Sequence, residues 1–212
     1  MEKRKTKKGE LVEVEFTACM QDGFVFDTTN EEEAKRNNLF VEGKEFKPLK
    51  VFIGEGEVIK GFDEALIGKE LGKEYIVKID PEKAYGFRNP SFVKTFPLGA
   101  FESEPKRDTF VNVNGIIAKV IAITGGRVVL DFNHPLAGKS LEYKFKILRI
   151  IEDDKEKLEV LAKRFGVKFE IKEEDNKIKI KIFGDIPETL EKKAKKLINK
   201  EVIFEKANDS NQ

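Results

Sequence analysis

Between Arg88 and Asp131 this chain nearly stops using charge. Ten of these forty-four residues are charged, against 37% of the whole sequence, and Phe92, Phe96, Phe101 and Phe110 stud the stretch. Within it FVNVNG, IIAKVIAI and RVVLDF read as strand runs, and Gly125-Gly126 parts two of them as a hairpin turn. A small all-β module is expected here. The texture that precedes it returns at NHPLAGKSLEYKFKILRI, so one module is read as inserted into another. The host must then be completed by chain from both sides of the insert.

The host reads as strands around one helix. ELVEVEF (10–16) alternates, with Leu11, Val12, Val14 and Phe16 marking a half-buried strand that runs through Cys19 to a turn at Asp22-Gly23. Val25 and Phe26 begin another strand, and NEEEAKRNN (30–38) is a polar loop or short helix. Lys50 to Ile53 is a short strand. Gly56 to Ile67 spaces Phe62, Ala65 and Leu66 as the inner face of a single helix, and Glu74 to Ile79 is a strand closed by Asp80-Pro81. Alternation over 141–149 supplies the last strand. The pattern predicts an α+β half-barrel, an antiparallel sheet around a short helix.

A third texture follows Ile151. Asp153 or Asp154 caps a helix with Leu158, Leu161, Ala162 and Phe165 at helical spacing. VKFEIK and KIKIKIF form a hairpin about Asp175-Asn176, Asp185-Ile-Pro187 opens a helix with Leu190, Ala194, Leu197 and Ile198 inward, and EVIFE is a short strand. Residues 152–212 carry 15 basic and 15 acidic side chains, so the lysine-rich strand is a solvated face rather than a nucleic-acid footprint. The closing NDSNQ is expected to be disordered.

Composition removes several function classes. The 40 basic and 39 acidic residues nearly cancel, which argues against nucleic acid or membrane as partner. No run of about 18 apolar residues occurs, and the opening MEKRKTKK lacks a signal-peptide core and reads as a solvated terminus. One cysteine, Cys19, cannot form an internal disulfide, so a reducing compartment, the cytoplasm, is expected. Scarce Cys, Met and Gln beside abundant charge is a bias of proteins from hot-growing organisms.

Motifs for group transfer fail on spacing. AGKS (137–140) has Asn133 where a phosphate loop needs its first glycine, and Gly54, Gly56 and Gly61 do not fit GxGxxG. With His134 the sole histidine, no His-His metal pair exists, and Cys19 reads as a structural thiol. What survives is a set of aromatics spread through the host, Phe16, Phe26, Phe62, Tyr85 and Tyr143, whose plain reading is core. Asp27 and Tyr85 stand out, the first where the chain leaves a strand and the second in a glycine-ended loop.

The order of these residues resembles the FKBP family of peptidyl-prolyl cis-trans isomerases. Members carry a first-strand aromatic, an FD pair, a VIxG(W/F) helix start and an AYG after a proline; here these are Phe16, Phe26-Asp27, Val58-Ile59-Gly61-Phe62 and Ala84-Tyr85-Gly86. Tyr143 takes the closing-strand aromatic and Val51 a position often aromatic. Phe62 stands where Trp is usual. NHPLAGKSL resembles the return segment of SlyD-type members, which carry an insert-in-flap chaperone domain, and the last 60 residues resemble the appendage of archaeal long-type members. The resemblance covers Gly9 to Ile151. It implies an isomerase domain at 1–87 and 132–151, a chaperone insert at 88–131, and a C-terminal α+β domain at 152–212 for docking or homodimerisation.

The resemblance further implies catalysis by Tyr85, Asp27, Phe26 and Phe62, with peptide bound by Phe16, Val51, Val58, Ile59 and Tyr143 and unfolded chain by Phe92, Phe96 and Phe101. The partners are unfolded or proline-containing polypeptides, and no cofactor or metal is called for; the metal-binding tail of bacterial SlyD is missing. The rival reading is a non-enzymatic holdase that keeps the barrel as scaffold.

Overall fold

A computed structural model describes residues 4–174 and 176–207. NDSNQ, Met1 to Lys3, and Asp175 of the expected hairpin turn lie outside the described residues. In chain order the elements are β1 (Leu11–Met20), β2 (Val25–Thr28), α1 (Glu31–Arg36), β3 (Leu49–Phe52), α2 (Lys60–Ala65), β4 (Glu74–Ile79), β5 (Val93–Pro97), β6 (Phe110–Val113), β7 (Ile116–Thr124), β8 (Arg127–Asp131), β9 (Leu141–Ile151), α3 (Asp154–Arg164), β10 (Lys168–Glu174), β11 (Lys177–Phe183), α4 (Glu188–Leu197) and β12 (Glu201–Ala207). They form mixed α+β structure in two compact units. The first comprises the chain up to Val77 together with that from Glu142 onward, and the second is Lys78–Leu141.

In the first unit the sheet runs β2-β1-β9-β4, with β3 also on β1. β1 joins two partners end to end, β3 through Leu11 to Val14 and β2 through Thr17 to Cys19, with an irregular register between Ala18 and Cys19. Strict alternation predicts one buried face for β1, yet Leu11 and Val12 are both buried, as are Val51 and Phe52 on β3 and Ile53 just after it. The reason lies after Ile151. Leu11 and Phe52, directly opposed in register, share a core with Leu158, Leu161 and Ala162 of α3, Ile178, Ile180 and Ile182 of β11, and Leu190 and Ala194 of α4. The chain beyond 151 thus covers the outer face of the β1–β3 pair.

That C-terminal part folds as its periodicities predict, with one addition. Asp153 caps α3, its Oδ1 accepting the Glu156 N–H at 2.6 Å. Asp154 does something else. Buried and paired with Lys157, it accepts the N–H groups of Asn199 (3.0 Å) and Lys200 (2.9 Å) and so fixes the turn from α4 into β12. β10 and β11 are the antiparallel hairpin, while β12 pairs with β11 in parallel after crossing through α4.

The second unit holds the sheet β5-β8-β7-β6, antiparallel throughout. Tight turns at Asn114-Gly115 (φ 52° and 85°) and Gly125-Gly126 (φ 55° and 71°) keep successive positive φ angles, which suit two-residue hairpins and are easy only for glycine and asparagine. β5 was not legible in the sequence. It is an edge strand ending in Pro97, a position a central strand could not give to proline. Among the described residues no helix is long and apolar enough to cross a membrane.

Charge joins the appendage to the sheet at Arg149 of β9. Its guanidinium reaches Glu13 (2.5 Å) and Glu156 (2.8 Å), and Lys50 adds to Glu156 at 2.7 Å. The hydrogen bonds from Arg149 and then Lys50 hold the Glu156 carboxyl down at about 2, from an ordinary 4.5. Because the folded value is depressed, its contribution is present above about pH 4.5 and is lost as pH falls toward 2. Urea titrations of wild type should therefore lose about 2 kcal/mol more stability than Glu156→Gln between pH 5 and pH 2, a figure reduced for partial exposure.

Candidate active site

Alternation along β1 and β9 sends Phe16, Tyr143 and Phe145 to one side of the sheet, and α2 lays Phe62 across them. Phe62 and Tyr143 are stacked at 4.5 Å and 28°, both buried. Phe16 lies 5.5 Å from Phe62 and 5.7 Å from Tyr143, Phe26 meets Tyr143 edge-on at 6.2 Å, and Phe145 meets Phe62 edge-on at 5.3 Å. Phe16 and Phe26 are only half-buried. The result is a buried aromatic floor rimmed by rings that remain accessible. Tyr75 extends the stack through Phe145 at 5.6 Å; neither Tyr75 nor Phe145 was singled out from sequence, where each looked like an ordinary strand residue.

Threonines set the strand positions of the two rim rings. Thr29 Oγ1 accepts the Phe16 N–H at 2.9 Å, Thr28 Oγ1 donates to the Phe16 carbonyl at 3.1 Å, and the Thr17 and Thr28 hydroxyls lie 2.9 Å apart. Asp27, between Phe26 and this network, is exposed, and its Oδ1 accepts the Thr28 N–H at 2.9 Å.

The helix expected over 56–67 is shorter, Lys60–Ala65, because Gly54 and Gly56 hold positive φ (81° and 69°) and the chain before Ile59 is a loop. That loop is organised by Asp63, which sequence reading passed over. Only 7% exposed, its carboxylate accepts the N–H groups of Gly54 (2.6 Å) and Gly56 (3.0 Å). The visible signal was an acidic residue in the first helical turn just after two glycines able to turn their amides toward it. Val58 and Ile59 follow the loop, half-buried, and Val51 is buried on β3. Val51 and Val58 share a cleft of about 210 Å³ with Leu49, Lys50, Glu57 and Arg164.

Cys19 lies 3.7 Å from the Glu142 carbonyl, and burial pushes its thiol up rather than activating it. The floor itself offers rings and backbone rather than nucleophiles. Such a surface can hold an apolar ring in a dry place and favour one conformation of it.

Tyr85 belongs to the second unit, where it stacks on His134 at 4.0 Å and 4°. Nearby, Gly138 N–H donates to the Gly86 carbonyl, Asn133 and Asn89 bond each other twice, and Arg88 pairs with buried Asp131. The four phenylalanines between Arg88 and Asp131 divide. Phe96 and Phe101 turn against Ala118, Val120, Val128 and Leu130 and meet edge-on at 6.4 Å. Phe92 and Phe110 stay out, Phe110 at 57% exposure, beside Ile117 at 66% on the neighbouring strand.

Residues 2–97 match the family model described as FKBP-type peptidyl-prolyl cis-trans isomerase, and residues 101–136 match the model described as FKBP26, IF domain. Among curated proteins, the chain is 42% identical over 144 residues to the short-type peptidyl-prolyl cis-trans isomerase of Methanocaldococcus jannaschii, spanning 66% of this chain and 91% of that one. It is 32% identical over 122 residues to the FKBP-type isomerase SlyD of Helicobacter pylori (55% and 65% of the two chains), and 26% identical over 147 residues to an FKBP-type 16 kDa isomerase of Escherichia coli (65% and 88%).

The loop clamp makes a prediction of its own. Asp63→Ala strands two backbone donors in the interior and should cost about 2–4 kcal/mol in chemical denaturation. Asp63→Asn, which keeps one acceptor oxygen, should cost less.

Proposed function

The chain belongs to the family of FKBP-type peptidyl-prolyl cis-trans isomerases, and on that footing we propose that it turns X-Pro bonds over the floor made by Phe62 and Tyr143. The observation that carries this reading is the stack itself: a buried pair of rings at 4.5 Å with half-buried Phe16 and Phe26 at its rim. Rotation about an amide faces about 18–20 kcal/mol, which is resonance energy. Water hydrogen-bonded to the carbonyl favours the planar, charge-separated form. A proline ring seated on Phe62, with Phe16, Phe26, Val51 and Val58 around it, removes that water and favours the twisted amide. Ile59 supplies a backbone N–H to a substrate carbonyl, and Asp27 fixes the strand end that presents Phe26. No proton moves and no covalent bond forms; the pocket binds the transition state better than the ground state.

A second activity follows from the second unit. The same side of its sheet carries Phe110 and Ile117, and Phe92 is also exposed, while Phe96 and Phe101 support the sheet from within. Clustered exposed apolar groups on a small domain mark an interaction surface. We assign it to unfolded polypeptide, held near the isomerase at raised effective concentration. β6 is a short edge strand, so main-chain pairing gives such binding little sequence preference. A reducing, cytoplasmic setting suits the lone, poorly activated Cys19.

Two outcomes are expected. Phe26→Ala should lower turnover of a proline tetrapeptide in a protease-free assay by about tenfold or more, through admitted water and a lost contact wall; a folded, fully active variant would mean that the pocket is misplaced. Phe110→Ser with Ile117→Ser should weaken suppression of client aggregation while tetrapeptide turnover stays within about twofold. Losing both together would contradict the division of labour.

A further inference from the structure

The loop ahead of Val58 and Ile59 is gripped from two sides. From inside, Asp63 takes the Gly54 and Gly56 amides. From outside, each C-terminal helix sends one cation. Lys196 of α4 meets Glu55 at 2.5 Å, and the Glu55 side chain is only 8% exposed. Arg164 of α3 pairs with Glu57, 13% exposed, whose other oxygen accepts the Phe52 N–H at 2.7 Å. Arg164 also donates to the Lys50 carbonyl and lies over the Phe52 ring at 5.7 Å, so its guanidinium is fixed to β3 as well as to the loop.

Two carboxylates brought this far out of water need partners. The cations that partner them come from helices beyond residue 151. Arg164 moreover forms a wall of the cleft lined by Val51 and Val58. We propose that Arg164 and Lys196 are positioning residues for the isomerase: through Glu57 and Glu55 they hold the loop that presents Val58 and Ile59. The C-terminal module is then a brace on the proline pocket. This rests on the reading of Val58 and Ile59 as pocket residues given above.

A rigid loop matters because a backbone donor misplaced by about 1 Å can cost two orders of magnitude in rate. Asp63 holds the backbone at Gly54 and Gly56 and Glu57 reaches the Phe52 N–H, while the two C-terminal cations fix the Glu55 and Glu57 carboxylates themselves. Lysine at 164 would keep the charge but lose the planar fork that serves Glu57 and the Lys50 carbonyl together.

The test uses full-length protein and a proline tetrapeptide. Arg164→Met with Lys196→Met should lower kcat about tenfold while KM moves less than about twofold, since the loss is of geometry rather than of contact area. Amide shifts of Gly54, Gly56 and Ile59 should move, and their hydrogen exchange should quicken. Arg164→Lys should recover part of the rate, and Lys192→Met, whose partner is Glu188 on its own helix, should change nothing. If the double variant does not fold, Arg164→Lys and Lys196→Met carry the test singly, each expected to lower kcat about threefold. Unchanged kcat per folded molecule, with a lowered melting temperature alone, would overturn the proposal. If that occurs while Phe26→Ala is inactive, the brace fails and the pocket stands; a fully active Phe26→Ala removes the pocket itself.

Discussion

A buried carboxylate with two amides to satisfy it decides where the aromatic floor of this protein sits. Asp63 draws the Gly54 and Gly56 N–H groups onto itself. The loop that results delivers Ile59 as the cap of α2 and so starts that helix one turn later than its apolar spacing suggests. Starting there, α2 lays Phe62 flat on Tyr143. Without Phe62 on that helix, Tyr143 of β9 would lose its stacked partner.

Coverage of β1 and β3 on both faces is the second constraint. One face of the pair contributes Val12, Val14 and Val51 to the barrel, and the opposed Leu11 and Phe52 belong to the C-terminal core. A sheet with only one buried face tolerates changes on its wet side; here a change in either core is felt by the other through a single layer of backbone. The ion pairs of Arg149, Lys50 and Arg164 follow that seam. Close packing across a shared sheet transmits displacement instead of absorbing it, which couples the C-terminal core to the β1–β3 pair.

Much of this was readable in advance, and the misses have physical causes. Alternation in ELVEVEF and LEYKFKILR gave β1 and β9, and Phe26-Asp27 with Val58-Ile59-Gly61-Phe62 marked the aromatic site because those residue types recur in that order in a known family. Asp63 escaped because a first-turn acid looks like an ordinary complement to the helix dipole; its role needs the glycine φ angles. That Leu11 and Phe52 belong to a second core was not legible, because local alternation knows nothing of chain arriving some hundred residues or more later. The parallel pairing of β11 with β12 is likewise a tertiary fact, as is β5, whose short Val-Lys-Thr-Phe run gains its strand state from β8. Phe96 and Phe101 show the opposite limit: composition announced surplus aromatics in the insert, and only packing separates those that face inward from Phe92 and Phe110.

The central claim is that proline is handled on the Phe62–Tyr143 floor. It is tested most directly by intermolecular nuclear Overhauser effects between full-length protein and a proline tetrapeptide under exchange. The account predicts contacts from the proline ring protons to the aromatic protons of Phe26, Phe62 and Tyr143. Contacts confined to Phe92, Phe110 and Ile117 of the second unit, with none to those three rings, would contradict it.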